Sequence, residues 1–286
     1  MKCKLYRLFI DKAFAIVCAV ATCIGILALI VLLYNVIADA AGWLDWDFIS
    51  KTPSRFAAKA GIYPLIIGSF MVVALVALFS LPLGVCAAVY LEEYAEKNRL
   101  TKVIETNIAN LAGVPSIIFG LLGLGIFVSF MGLGPGIVLV GAFTLTLRVL
   151  PIVIISTQEA IRAVPDTLRE ASYGLGASQW QTIHHVVLPK ALPSIMTGLI
   201  LSVSNAIGES APLIMVGVAT SIFRAPTGLL SPFGALPLQI FAWSDYPVKE
   251  FQHGVVPAAI VVLLAILIFL NLTTIYIRNK YQQKGD

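Results

Sequence analysis

Two charged side chains, Arg148 and Glu209, stand within stretches that are long and apolar enough to cross a bilayer. An ionisable group in hydrocarbon costs roughly 3 kcal/mol on insertion scales, so it faces a protein interior or a wet cavity and is a functional candidate by default. The plainer alternative is a structural ion pair that locks two helices together. Counted from the inner ends of their helices at about 1.5 Å per residue, Arg148 lies roughly 14 Å deep and Glu209 roughly 22 Å deep, so direct contact is within reach but not required. Pro212 follows Glu209 by three residues. It has no N–H and its ring clashes with the carbonyl of Gly208, which predicts a kinked helix and freed backbone groups that need a cavity or a partner. Interrupted helices at mid-membrane are where transporters place their sites.

The second polar feature is internal, from Glu170 to Pro189, with the sequence EASYGLGASQWQTIHHVVLP. Thr167 with Glu170, and Ser178 with Gln181, each have the spacing that satisfies the free N–H groups at a helix start reciprocally. Gly174 and Gly176 suit the left-handed turn that ends a helix. The pattern predicts two short helices joined by a glycine elbow and closed by Leu188-Pro189. His184 and His185 are adjacent, so on a helix they point about 100° apart and do not chelate one ion as an i, i+4 pair would.

Other chemistry is excluded or weak. There is no Gly-x-x-x-x-Gly-Lys-Ser/Thr phosphate loop, so any ATP is used elsewhere. Gly120, Gly123 and Gly125 sit in an apolar run, where small residues let helices approach closely. Cys3, Cys18, Cys23 and Cys86 lack metal-ligand spacing and are expected as buried thiols acting as small hydrophobes. Asn271-Leu-Thr273 matches a glycosylation acceptor but lies in a span.

The elements that position these residues follow from composition. The 286-residue chain is 59% hydrophobic and only 12% charged, where soluble domains carry charge on roughly a quarter of residues. An all-α integral membrane protein is expected, with six spans. The first runs from Ala13 to Ala38 as a retained anchor, because it is too long for a signal-peptide core. The second lies in Ala60 to Leu91, with an outer turn at Tyr63-Pro64. Residues 106 to 147 are uncharged and hold the third and fourth, broken at Gly132 to Gly136. The fifth runs from Ser194 to Thr220 and the sixth from Gly254 to Ile277. With both termini inside, thirteen Lys and Arg fall on cytoplasmic segments and five outside, Arg148 being the remaining one of 19, as the positive-inside rule requires. The net charge of +4 is therefore topological, and nucleic acid is not a partner. A short helix is expected at the outer face between Pro226 and Trp243.

The order Glu170-Ala171-Ser172, three residues, Gly176, nine residues, Val186-x-Leu188-Pro189 resembles the EAA loop of bacterial ABC-importer permeases, with Ser172 and Val186 as mild substitutions. Leu81-Pro-Leu-Gly-Val85, Tyr90-Leu-Glu-Glu-Tyr94, Asn110-Leu-Ala-Gly-Val-Pro-Ser116, Ala163-Val-Pro165, Ile207-Gly-Glu-Ser-Ala-Pro-Leu213 and Leu236-Pro-Leu-Gln-Ile240 look like the PstA-type branch, which serves phosphate importers. The resemblance covers about residues 60 to 278. It implies a type I importer permease fold in the bacterial cytoplasmic (inner) membrane. Residues 1–59 would form the basic segment, first helix and external loop, 60–277 the core with a coupling loop over 157–193, and 278–286 a cytoplasmic tail.

It also implies a role. Glu170, Ala171, Ser172, Gly176, Val186, Leu188 and Pro189 would dock on one of two cytoplasmic ATPase subunits, which use ATP and Mg²⁺ while this chain binds no cofactor. A second homologous permease, an external phosphate-binding protein and membrane lipid complete the expected partners. A path for phosphate wants arginine, hydroxyl and amide donors, which Arg148, Ser204, Asn205 and Ser210 supply beside Pro212. Glu209 would repel the ion, so its expected role is to orient an arginine or to gate. The family often has an arginine where this sequence has Asn205, and Arg148 is the expected replacement. Other cargoes, another oxyanion or an amino acid, remain open. An ion channel needs no EAA loop, and a membrane-embedded enzyme calls for a cluster of His, Asp or Glu in the spans.

Overall fold

A computed structural model describes residues 2–220 and 222–282 of the chain. Lys284 and the end of the expected tail, with the side chains of Lys2, Cys3, Lys4, Arg7, Arg278 and Lys280, lie outside the described residues. Among the described residues, five helical segments are long and apolar enough to cross a membrane: Lys12–Ala40, Tyr63–Tyr94, Val138–Arg162, Gln179–Ile207 and Phe251–Thr273. A bent pair, Arg99–Ala112 with Ser116–Phe130, makes up to six.

Helix α1 (Lys2–Ala40) is apolar on all sides from Ala13 to Ala38 and largely exposed there, as a lipid-facing helix must be. The outer segment folds into α2 (Trp46–Ser50), started by Asp45, whose side chain accepts from the Phe48 N–H. Helix α3 (Tyr63–Val89) starts with Pro64 in its first turn, where no N–H is needed, and ends in a wide π turn, Tyr90–Tyr94. The stretch from Glu92 to Glu105 is thus the end of one helix and the start of the next rather than a loop. Helix α4 (Arg99–Ala112) is capped by Asn98 and meets α5 (Ser116–Gly123, continued as a π turn over Leu124–Phe130) at 106°. The third span, expected within residues 106 to 147, is therefore a bent pair. Pro115 drives Val114 away from the helical region, and the uncharged run that continues past it turns a corner. Ser116–Phe130 alone reaches only about 22 Å, short of the roughly 30 Å of hydrocarbon.

The break at Gly132 to Gly136 is present, with φ of +69° and +70° at those two glycines. Helix α6 (Val138–Arg162) then begins against a later loop, whose Ser231 and Leu229 carbonyls accept from the Val138 and Leu139 N–H groups. The helix start is satisfied by chain from the far end of the sequence.

After α7 (Asp166–Gly174) and α8 (Gln179–Thr182), a π turn over Ile183–Val187 runs directly into α9 (Leu188–Ile207). Leu188-Pro189 therefore does not close the internal segment. Pro189 sits in the first turn after the wide turn, where a missing N–H is tolerated. The fifth span ends at Ile207 rather than Thr220, and α10 (Ala211–Met215) follows as a separate short helix with Pro212 in its first turn. The expected kink is a full break. The outer helix α11 (Leu236–Ser244) is present with Leu236 buried, and α12 (Val256–Gln282) ends the described chain after a π turn at Phe251–Val255.

Among the described residues, three apolar clusters lie along the bundle. An outer one joins α2, α3, α11 and α12 around Ile62, Leu65, Leu236, Trp243 and Phe251. A central one joins α3, α6 and α10 around Val76, Leu145, Val149, Leu213 and Phe233. An inner one joins the ends of α3 and α6 to the start of α9 around Ile154, Ile161, Ile183 and Val187. The glycine expectation holds for two positions: Gly120 abuts Pro212 and Met215, and Gly123 abuts Thr144, with no room for a Cβ at either. Gly125 touches nothing nearby. Cys18, Cys23 and Cys86 are free but exposed on the helix surfaces, not buried, because their helices present those faces outward.

Candidate transport site and docking segment

The break after α9 brings Glu209 to Arg148. Arg148 Nη2 lies 2.7 Å from Glu209 Oε1, and the two side chains are 22% and 17% exposed. Both inner ends differ from those counted in sequence, since α6 runs inward to Arg162 and α9 begins at Leu188, and the contact itself places the two groups at one level. The pair is a direct ion pair between α6 and the segment joining α9 to α10. Arg148 Nε is buried without a hydrogen-bond partner among the described residues, and a buried unmet donor costs free energy until something accepts from it.

The neighbouring candidates divide. Asn205 is exposed, and Ser210 is half-buried at the start of α10 with its side chain not capping that helix. Pro212 is buried against Gly120 of α5. Ser204 is directed elsewhere: its hydroxyl donates to Asn271 Oδ1 on α12, so it fastens two helices and is not grouped with Arg148. Asn271 was missed as a structural partner, and an amide in an apolar span is the signal that marks it. Hydroxyls of Thr144, Thr146 and Ser202 donate to carbonyls four residues back, which satisfies them within their own helices.

The internal segment is built as an elbow. Ser178 and Gln181 form the expected reciprocal cap, Ser178 Oγ accepting from the Gln181 N–H at 3.3 Å and Gln181 Oε1 accepting from the Ser178 N–H at 2.8 Å. Thr167 does not cap; α7 starts one residue earlier, at Asp166 after Pro165. Gly176 adopts φ +84°, whereas Gly174 stays in the last turn of α7 without positive φ. Glu170, Ala171, Gly176 and Pro189 are exposed, Val186 and Leu188 are half-buried, and Ser172 Oγ lies 2.8 Å from Thr182 Oγ1, tying the two arms. Leu175 is 91% exposed at the elbow, and Tyr173 and Trp180 are exposed as well. His184 stacks on Trp180, and no group of three His, Cys, Asp or Glu suited to a metal occurs among the described residues.

Charged residues at the inner ends of α3, α4 and α6 were not singled out from the sequence. Arg162 Nε donates to Glu92 Oε2 at 2.9 Å and its Nη2 to Glu105 at 3.3 Å, while Gln158 Nε2 donates to Glu92 Oε1 at 2.9 Å. The signal was the adjacent pair Glu92-Glu93 facing two arginines seven residues apart, visible only once the helices are side by side.

Comparison with known proteins follows the same division. Residues 80–281 match the family described as binding-protein-dependent transport system inner membrane component. A probable ABC transporter permease protein, YqgI, of Bacillus subtilis (strain 168) is 39% identical over 201 residues, covering 70% of this chain and 68% of the relative. The phosphate transport system permease protein PstA of Yersinia pestis is 30% identical over 268 residues, covering 93% and 90%. Among solved structures, a chain of the MetNI methionine ABC transporter in inward facing conformations superposes with a TM-score of 0.60 at 19% identity, covering 77% of this chain and 97% of that one. At that identity the likeness establishes the fold alone. The internal elbow, the broken fifth span and the match along most of the length converge on one statement: the chain belongs to the binding-protein-dependent transport system inner membrane components, as a multi-pass, non-catalytic permease subunit of PstA type in the bacterial ABC importers.

Proposed function

We propose that this chain moves inorganic phosphate inward across the cytoplasmic membrane, paired with a second homologous permease, seated on two ATPase subunits that use ATP and Mg²⁺, and supplied by an external phosphate-binding protein. The observation that carries the cargo is the kinship over 93% of the chain with a relative named as a phosphate transport permease. The exposed elbow from Glu170 to Gly176, which includes Leu175, supports docking on the ATPase: a rigid, partly apolar projection suits insertion into a cleft.

In this reading Arg148 is the cation of the ion path. Glu209 holds the guanidinium in place when the path is empty, and an oxyanion takes over donors that the carboxylate or nothing now fills, Nε among them. Asn205 and Ser210, on the adjoining break, add neutral donors. Release of the ion returns the guanidinium to Glu209. The supporting observation is that a helix broken at Gly208 places a carboxylate on an intramembrane arginine that keeps an unmet donor.

Uptake of labelled phosphate by cells that depend on this chain tests the reading, with unlabelled phosphate, sulfate, molybdate and amino acids as competitors. Competition by phosphate alone is expected; competition by another solute would reassign the cargo. Arg148→Gln is expected to reduce uptake per unit of protein in the membrane to background, and unchanged uptake on that basis would remove Arg148 from the path.

A further inference from the structure

The π turn that ends α3 carries Glu92 and Glu93, which face different arginines. Glu92 belongs to the cluster with Arg162. Glu93 Oε1 lies 3.0 Å from Arg169 Nη2 on α7, and these side chains are 9% and 15% exposed. The same guanidinium donates from Nη1 to the Val164 carbonyl at 2.6 Å and from Nη2 to the Ile161 carbonyl at 3.0 Å, and pairs with Asp166 at 3.0 Å. One side chain therefore joins the end of α6, the start of α7 and the end of α3. From the other arm of the elbow, Gln179 Nε2 donates to the backbone carbonyl of Glu93 at 2.5 Å. Both arms of the docking segment are thus hydrogen-bonded to the same residue of α3.

Such a joint transmits displacement. A largely buried guanidinium with both Nη groups hydrogen-bonded is held in one geometry, so α7 and the end of α3 move as a unit. A π turn holds one residue more than an α turn and is a recurrent feature of functional sites, so it offers slack at the receiving end. Higher in the bundle, Gly84 of α3 leaves no room for a Cβ against Val153 of α6, so a shift of α3 is passed to α6 five residues from Arg148.

We infer that Glu93 is a positioning residue through which displacement of the docking segment reaches α3, and through it the Arg148 region, alongside the covalent route into α9. This rests on the reading that Glu170 to Gly176 docks on an ATPase.

The test uses the whole assembly, with partner permease, ATPases and binding protein, reconstituted in proteoliposomes. Labelled phosphate taken up is measured against ATP hydrolysed, both per assembled complex. Glu93→Gln and Gln179→Ala are each expected to lower the phosphate moved per ATP by about fivefold or more. Arg162→Gln, which disrupts the adjacent cluster, serves as the structural comparison, with lower yield but the wild-type ratio expected. A wild-type ratio in Glu93→Gln would overturn the inference whatever the yield. If Glu93→Gln fails to assemble, Gln179→Ala decides alone, since it removes a single exposed side chain, and a wild-type ratio there overturns the inference equally. Failure of the docking reading has a different signature: the unaltered chain would not assemble with the ATPase at all.

Discussion

At Arg148 the competing roles, lock and ion path, differ in what an exchanged pair would do. With Arg148→Glu and Glu209→Arg together, an ion pair between α6 and the break can form again. A structural lock would regain both membrane level and uptake; an ion path, its cation moved to the other side, is expected to regain the level and not the uptake, read by immunodetection and labelled phosphate. Each single change sets two like charges against each other, which costs about 3 kcal/mol or more when the site is buried, and with about a fifth of each side chain exposed the lower figure applies. At Gly176 the argument is conformational. Its φ of +84° costs a side-chain-bearing residue about 1–2 kcal/mol, and a Cβ there would meet nothing within 4 Å. Gly176→Val is therefore expected to leave assembly intact while ATP hydrolysis proceeds with reduced uptake. Normal uptake in that variant would contradict the coupling role of the elbow.

At the scale of elements, the break between α9 and α10 is the feature on which the site depends. Pro212→Ala restores an N–H that the Gly208 carbonyl can accept, which extends α9 and withdraws Glu209 from Arg148. Uptake is expected to fall about tenfold, in step with a helix extension that hydrogen exchange on Gly208 to Ala211 would detect; unchanged uptake with slowed exchange would separate the break from transport. An interruption here was foreseeable from Pro212 because proline acts locally, though as a kink in a continuous span and not as a break. The Ser178 and Gln181 cap and the turn at Gly132 to Gly136 were legible for the same reason. What was not legible depends on direction or distance. An uncharged run looks alike straight or bent, so the 106° corner after Ala112 was hidden within residues 106 to 147. Leu188-Pro189 resembled an end because nothing in the residue pattern reveals that a π turn precedes it. Glu93 and Arg169 lie 76 residues apart, and only packed helices show that they meet.

On the scale of the whole molecule, three apolar clusters among the described residues stack from the outer loops to the internal elbow, and the polar sites sit at their edges. The inner cluster, around Ile154, Ile161, Ile183 and Val187, links the elbow to α6 and α9, so a displacement at the cytoplasmic face has a close-packed route towards Arg148 and Glu209. The composition and the Lys and Arg asymmetry were enough to establish a multi-pass membrane protein, and the spacing from Glu170 to Pro189 was enough to point to the family. The cargo rests on kinship and on the chemistry of one arginine.

The most direct test is transport by the purified assembly. Proteoliposomes holding this chain with its partner permease and ATPases, given the external binding protein, labelled phosphate outside and Mg-ATP inside, are expected to accumulate phosphate only while ATP is hydrolysed. Unlabelled phosphate should abolish the accumulation, and sulfate or molybdate should not. Accumulation without hydrolysis, or a preference for another solute, would contradict the account.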